Sequence, residues 1–181
     1  REFRNPVGII TKSPLILRDL DVLKDLHRKA GLHVVVSIAF SDEAMARKVD
    51  AGAPSPERRL GIVKGLAEAG LFVTVSLAPV IVGLNDAQAP EILKRAKEAG
   101  ARNAFYAPLR LTGSGEAVFL ERLRRDFPLA AAKVEGFLRD QHAGRGVRGA
   151  LIARQFRLWR RKLGLEERHL LPETSPFRRP G

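Results

Sequence analysis

Residues 71–86 read LFVTVSLAPVIVGLND, and the interpretation of the whole chain turns on them. Phe72 to Leu77 is a β-branched, apolar run. Ala78-Pro79 leads out of it into a loop holding Ile81, Gly83, Asn85 and Asp86, and a helical pattern follows. Such a run before a Gly/Asn/Asp turn is the signature of a buried parallel strand delivering a loop to the carboxyl edge of a sheet. In α/β folds that edge is where chemistry is placed.

Two further segments repeat the unit. DVLKDLHRKAGLHVVVSIA (21–39), GIVKGLAEAGLFVTVSLAP (61–79) and EILKRAKEAGARNAFYAPL (91–109) each run helix, Ala-Gly, strand. Gly31, Gly70 and Gly100 fall where a helix end calls for a left-handed residue. Apolar residues recur at helical spacing before each glycine: Leu20, Leu23, Leu26; then Leu60, Val63, Leu66; then Ile92, Leu93, Ala96. Ser55-Pro56 marks one helix start, Ser41-Asp42-Glu43 opens a short extra helix ending near Val49, and Pro90 places the next start near Ala89. With an earlier strand at 7–11, the expected strands are 7–11, 33–39, 72–77 and 104–110, apolar on both faces. Alternating helix and strand predicts a parallel α/β sheet. Four units are too few to close an eight-strand barrel, so the expectation is a partial, open TIM-type β/α barrel over 1–111 with an unpaired edge at 7–11.

Beyond Leu111 the pattern becomes helical. Thr112-Gly113-Ser114-Gly115 reads as a turn. Helices are expected over 116–127 (Phe119, Leu120, Leu123 and Phe127 inward), 129–140 and 150–163 (Ile152, Phe156, Trp159 and Leu163 inward). Residues 164–181 read as a tail with little structure.

Composition narrows the chemistry. The 181-residue chain is long enough to bury one sizeable core, and no apolar run approaches a membrane span or a signal peptide, so it reads as soluble and cytoplasmic. There is no cysteine, which excludes disulfides and thiolate-held metal clusters within this chain. The net charge is +12, and residues 141–181 carry ten Lys/Arg against three acids. Either a nucleic-acid surface or a solvated arginine-rich face accounts for that bias.

Lys12 and Ser13, in TKSP at a strand's carboxyl end, could hold an anionic ligand; a plain loop lysine is the commoner reading. Ser37, inside VVVSIAF, satisfies a backbone group or touches a ligand. TGSG lacks the ending of a phosphate loop. The four histidines, His27, His33, His142 and His169, show no metal-ligand spacing and read as structural or surface residues. Arg154, Arg157 and Arg161 line up opposite the Phe156/Trp159 stripe and could follow a phosphate backbone.

IITKSPLILRDLDVL (9–23), VVVSIAFSDEAMARKVDAGAPSPERRL (34–60) and APVIVGLND (78–86), in that order, resemble one family: the radical S-adenosylmethionine proteins related to spore photoproduct lyase. The likeness covers roughly residues 5–111, with a fainter echo near 144–165. It implies a partial (β/α)6 barrel. There a [4Fe–4S] cluster binds S-adenosylmethionine and cleaves it reductively to a 5′-deoxyadenosyl radical that abstracts hydrogen from substrate. It places Ser37 by the ribose and methionine groups, and Lys12 and Ser13 facing the same cavity. It puts Arg59 near the methionine carboxylate, and Ile81, Gly83 and Asp86 in a GxIxGxxE-like loop along the adenine. Pro79 replaces the first glycine of that motif and Asp86 its glutamate. Strand 104–110 would line the adenine side. The family's CxxxCxxC is absent, Asp50-Ala51 stands for its Glu-Pro, and Val82 stands for the usual proline before Gly83. The resemblance therefore implies the carboxy-terminal two-thirds of such an enzyme, inactive alone, with the cluster ligands on a missing amino-terminal segment or a second chain. The substrate is undetermined, with nucleic-acid repair one option. The alternative from the residues is a non-catalytic, basic nucleic-acid-binding module on a degenerate half-barrel.

Overall fold

The computed structural model describes residues 3–111, 113–142, 147–169 and 176–179. Four strands form one fully parallel sheet in sequence order: β1 (Val7–Thr11), β2 (Leu32–Ser37), β3 (Val73–Val80) and β4 (Asn103–Pro108). The crossovers carry α1 (Leu20–Lys29), α2 (Glu43–Val49), α3 (Pro56–Glu68) and α4 (Ala89–Glu98); α5 (Ser114–Asp126), α6 (Pro128–His142) and α7 (Val147–Lys162) follow β4. The sheet stays open, with β1 and β4 as its edges. Among the described residues, no helix is long and apolar enough to cross a membrane.

Local chemistry explains the boundaries. Asp42 caps α2 by accepting from the Met45 N–H, and Ser55 caps α3 by accepting from the Arg58 N–H ahead of Pro56. Gly31, Gly70 and Gly100 take φ of 92°, 79° and 95°, the left-handed turn that ends each preceding helix.

Because side chains alternate along a strand, the sheet has two unlike faces. Val34, Val36, Val73, Val75 and Ala104 point to the face covered by α1, α3, α4 and α7, where Leu23, Leu66, Leu93 and Phe156 complete the main core. The opposite face is not the apolar surface expected: it carries Ser37, Thr74 and Ser76 in its centre, with Ile10 at the β1 edge 71% exposed. A second core sits over the carboxyl ends of β2 and β3, where Phe40, Ile81, Leu123, Val134 and Leu138 join α5 and α6 to the loops.

Strands β2 and β4 end two residues short of expectation, at Ser37 and Pro108, and α7 begins three residues early, at Val147; two larger differences have a physical cause. β3 does not stop at Leu77 but continues through Ala78-Pro79, a cis peptide, to Val80. Proline has no N–H for the ladder, so the register slips between Leu77 and Val80 and resumes with Val80 opposite Pro108 and the Leu109 N–H on the Val80 carbonyl (2.8 Å). The expected tail also has structure over 164–169. Leu165 is fully buried, its carbonyl accepts from the Ala104 N–H (3.2 Å), and Glu166 forms an antiparallel bridge with Asn103 on the β4 edge.

Candidate functional site

β1 and β2 end side by side, since Thr11 pairs with Val36. The next residues, Lys12 and Ser37, thus meet at the mouth of the polar face. α2 ends nearby at Asp50, and the first turn of α3 presents Arg59. Arg59, only 6% exposed, donates through Nε to the Pro54 carbonyl (2.8 Å), through Nη1 to the Ser37 carbonyl (3.2 Å) and through Nη2 to Asp50 (2.8 Å). Lys12 Nζ donates to both oxygens of the same carboxylate at 2.9 and 3.0 Å. Burial alone pushes the Asp50 carboxyl up; the hydrogen bonds and charges of Lys12 and Arg59 outweigh that and hold it below the usual range.

These groups border a cavity of about 440 Å³ lined also by Ile10, Thr11, Ala78 and Pro79. Behind the Asp50–Arg59 pair lies a second hollow of about 320 Å³, bounded by Arg47, Gly52, Ser55 and Arg58. The first cavity offers one half-exposed cation (Lys12), one anion (Asp50) and a serine, a set suited to a small zwitterionic or carboxylate-bearing ligand.

The structure thus joins Lys12, Ser37 and Arg59 and separates them from the other sequence-derived candidates. Ser13 is the N-cap of a short 3-10 segment, Pro14–Asp19, its Oγ accepting from the Leu15 N–H (3.3 Å). Ile81 is buried in the second core. The Gly83 N–H donates to Asp86 Oδ1 (2.8 Å), and a Cβ on Gly83 would lie 2.9 Å from that of Lys133 on α6. Their loop is organised by Asn85, which sequence reading left unassigned: its Oδ1 accepts from the Ile81 N–H (2.6 Å), while Nδ2 donates to the carbonyls of Ala39 (2.7 Å) and Pro79 (3.1 Å). Asp50 enters the sequence reading only as the residue that stands for the glutamate of the Glu-Pro motif. Its place nine residues before Arg59, across a short helix end, was the available signal.

Arg154, Arg157 and Arg161 border a separate open groove of about 640 Å³ on the outer face of α7, with Leu151 and Leu158 between them. Three of the histidines read as scattered converge: His33 on β2, His27 on α1 and His169 in the carboxy-terminal segment. The side chain of His142, and Thr112 of the TGSG turn, lie outside the described residues. Among the described residues, no group of His, Cys, Asp or Glu could hold a metal ion.

No family model matches this sequence. A stretch of 125 residues, 68% of this chain, is 33% identical to uncharacterized proteins of Mycobacterium bovis and Mycobacterium tuberculosis and covers 37% of each. An uncharacterized protein of Methanocaldococcus jannaschii is 29% identical over 85 residues, 47% of this chain and 32% of its own length. The chain therefore spans little more than a third of the mycobacterial relatives it matches.

Proposed function

We propose that this chain is the carboxy-terminal part of a radical S-adenosylmethionine enzyme related to spore photoproduct lyase, with its S-adenosylmethionine pocket in the cavity at the ends of β1, β2 and β3. The observation that carries the reading is the convergence of TKS, VVVS and SPERR, three motifs distant in sequence, on one cavity through Lys12, Ser37 and Arg59. The [4Fe–4S] cluster does not fit the donors of this chain, which has no thiolate, so its ligands would come from another segment or a second chain. S-adenosylmethionine fits better. Lys12 would leave Asp50 for the ligand carboxylate, Asp50 would face the ligand's cationic groups, and the Ser37 hydroxyl would serve a polar group. Three of the five N–H donors of Arg59 are already engaged, so it acts as the support for Asp50 rather than as the carboxylate ligand.

Titrating the isotope-labelled chain with S-adenosylmethionine tests this by NMR. Amide shifts at Lys12, Ser37, Asp50 and Ala78 that vanish in Lys12→Met support the pocket. Saturation at millimolar ligand without shifts there overturns it.

A second reading rests on α7. Arg154 and Arg157 have no acidic partner among the described residues, and Arg161 has one only at 4.0 Å, in Glu166. This exposed cationic row suits a phosphate backbone, as in a nucleic-acid-binding module. It requires DNA or RNA binding that weakens steeply with salt and is lost on replacing the three arginines.

A further inference from the structure

The carboxy-terminal segment crosses the amino end of the sheet. From Leu165 it follows the start of β4: the Glu167 N–H donates to the Arg102 carbonyl (3.2 Å), and the Glu167 carboxylate takes the Arg102 guanidinium (2.7 Å). His169 then lies over the starts of β2 and β3. Its ring stacks on His33 at 5.2 Å and 18°, meets Phe72 edge-on at 5.0 Å, and stands 6.3 Å from His27 in the last turn of α1. Arg102 covers the Phe72 ring at 4.7 Å.

We propose that residues 166–169 are an acid-released clasp, held across the sheet while the imidazoles of His33 and His169 are neutral and detached when either is protonated.

The charges around the cluster support this. His33 is engaged through Nε2 with Thr74 Oγ1 (2.8 Å), while Nδ1 of both His27 and His169 is buried without a partner among the described residues. Of the neighbouring charged groups, Arg102 is paired with Glu167, and on α1 Arg28 and Lys29 both turn to Asp25. Among the described residues no carboxylate pairs with these imidazoles, and Glu167 is already held by Arg102; the Leu32 backbone is the influence on His169 that favours its charged form. Burial, then the charges of His33, His27 and Arg102, push the His169 imidazole down, and burial does the same to His33. A lowered folded-state pKa in a histidine gives stability that is complete above the ordinary imidazole value of about 6.5 and is lost as pH falls through the folded value. Release would uncover Phe72 and the β4 edge at Asn103 while leaving the buried Leu165 anchor in place.

Amide hydrogen exchange on the full chain, read as protection factors so that intrinsic pH effects cancel, tests the clasp. Between about pH 7.5 and pH 5 the Glu167 amide should lose roughly tenfold or more in protection while amides of β2 and β3 keep theirs. His169→Phe, which keeps the ring contacts but cannot ionise, should blunt the fall across that range, and so should His33→Gln, which retains a group for Thr74. The proposal is overturned if Glu167 protection is independent of pH, if it falls only together with the whole sheet, or if His169→Phe leaves the fall undiminished.

Discussion

The Asn85 side-chain amide donates to the Ala39 carbonyl at 2.7 Å, tying the loop after β3 to the loop after β2 across 46 residues of sequence. Both loops leave the sheet at its carboxyl end, and a side chain only 2% exposed sets their separation. The same amide caps the Ile81 N–H and the Pro79 carbonyl, so one residue satisfies three backbone groups that have little access to water.

Asn85→Ala should therefore cost about 2–4 kcal/mol, since it strands buried donors and acceptors instead of exchanging them for water. Asn85→Asp should cost at least as much near neutral pH, where a carboxylate would face two carbonyls, and should recover in part at acid pH. Urea unfolding followed by circular dichroism at two pH values measures both.

Lys12 and Arg59 share Asp50 but not an environment. The Lys12 side chain is half exposed, whereas that of Arg59 is 8% exposed. Lys12→Met should change stability by less than about 1 kcal/mol, as exposed pairs do. Arg59→Met should cost about 2–4 kcal/mol, because the Ser37 and Pro54 carbonyls lose their donor along with the carboxylate. The depressed Asp50 contributes stability that is present above the ordinary aspartate range and lost as pH falls through its lower folded value. Removing Lys12 weakens that depression, so the acid-dependent loss of stability should be smaller and should be complete at a higher pH than in the parent chain. Denaturant midpoints measured from pH 6 down to about 2 report it.

Gly83 answers two demands at once: φ is 89°, and the backbone lies against α6 so closely that a Cβ would meet that of Lys133 at 2.9 Å. Gly83→Ala should cost about 1–3 kcal/mol and loosen α5 and α6 from the sheet. Gly52 is the control, with φ of 80° but nothing within 4 Å of an added Cβ, so Gly52→Ala carries only the backbone strain, about 1 kcal/mol. Limited proteolysis between α6 and α7, compared for the two variants, separates loosening from general destabilisation.

What sequence reading captured and missed follows from the range of the interactions. Helix caps, left-handed glycines and apolar periodicity are local, and they placed α2, α3, α4 and the parallel strands to within a few residues. Lys12 was legible as a strand-end residue and Ser37 as a residue inside a strand, whereas Arg59 entered only through the family resemblance. Asp50, the common partner of Lys12 and Arg59 and 38 residues from Lys12, was not legible, because only the fold brings α2 to β1. Asn85 looked like a turn residue and is a buried tie. The imidazole cluster joins positions 27, 33 and 169, a contact that no periodicity encodes. Pro79 misled for a chemical reason: it breaks the ladder locally, yet β3 resumes its pairing at the next residue.

The segment after Gly164 offers the sharpest contrast between composition and packing. Residues 164–181 hold three prolines and three arginines, yet Leu165 has no exposed surface and joins the main core beside α7 and β4. The turn at Gly164, with φ of 63°, and the Leu165 N–H on the Arg160 carbonyl (2.9 Å) direct that side chain inward. Leu165→Ala should then cost about 2–5 kcal/mol, the range for a buried leucine whose cavity cannot collapse. Leu158→Ala, at a position 65% exposed on the outer face of α7, should stay within about 0.5 kcal/mol of the parent. A true tail residue would behave like Leu158. Equal, small effects at the two positions in urea unfolding would remove Leu165 from the core and with it the anchor on which residues 166–169 depend.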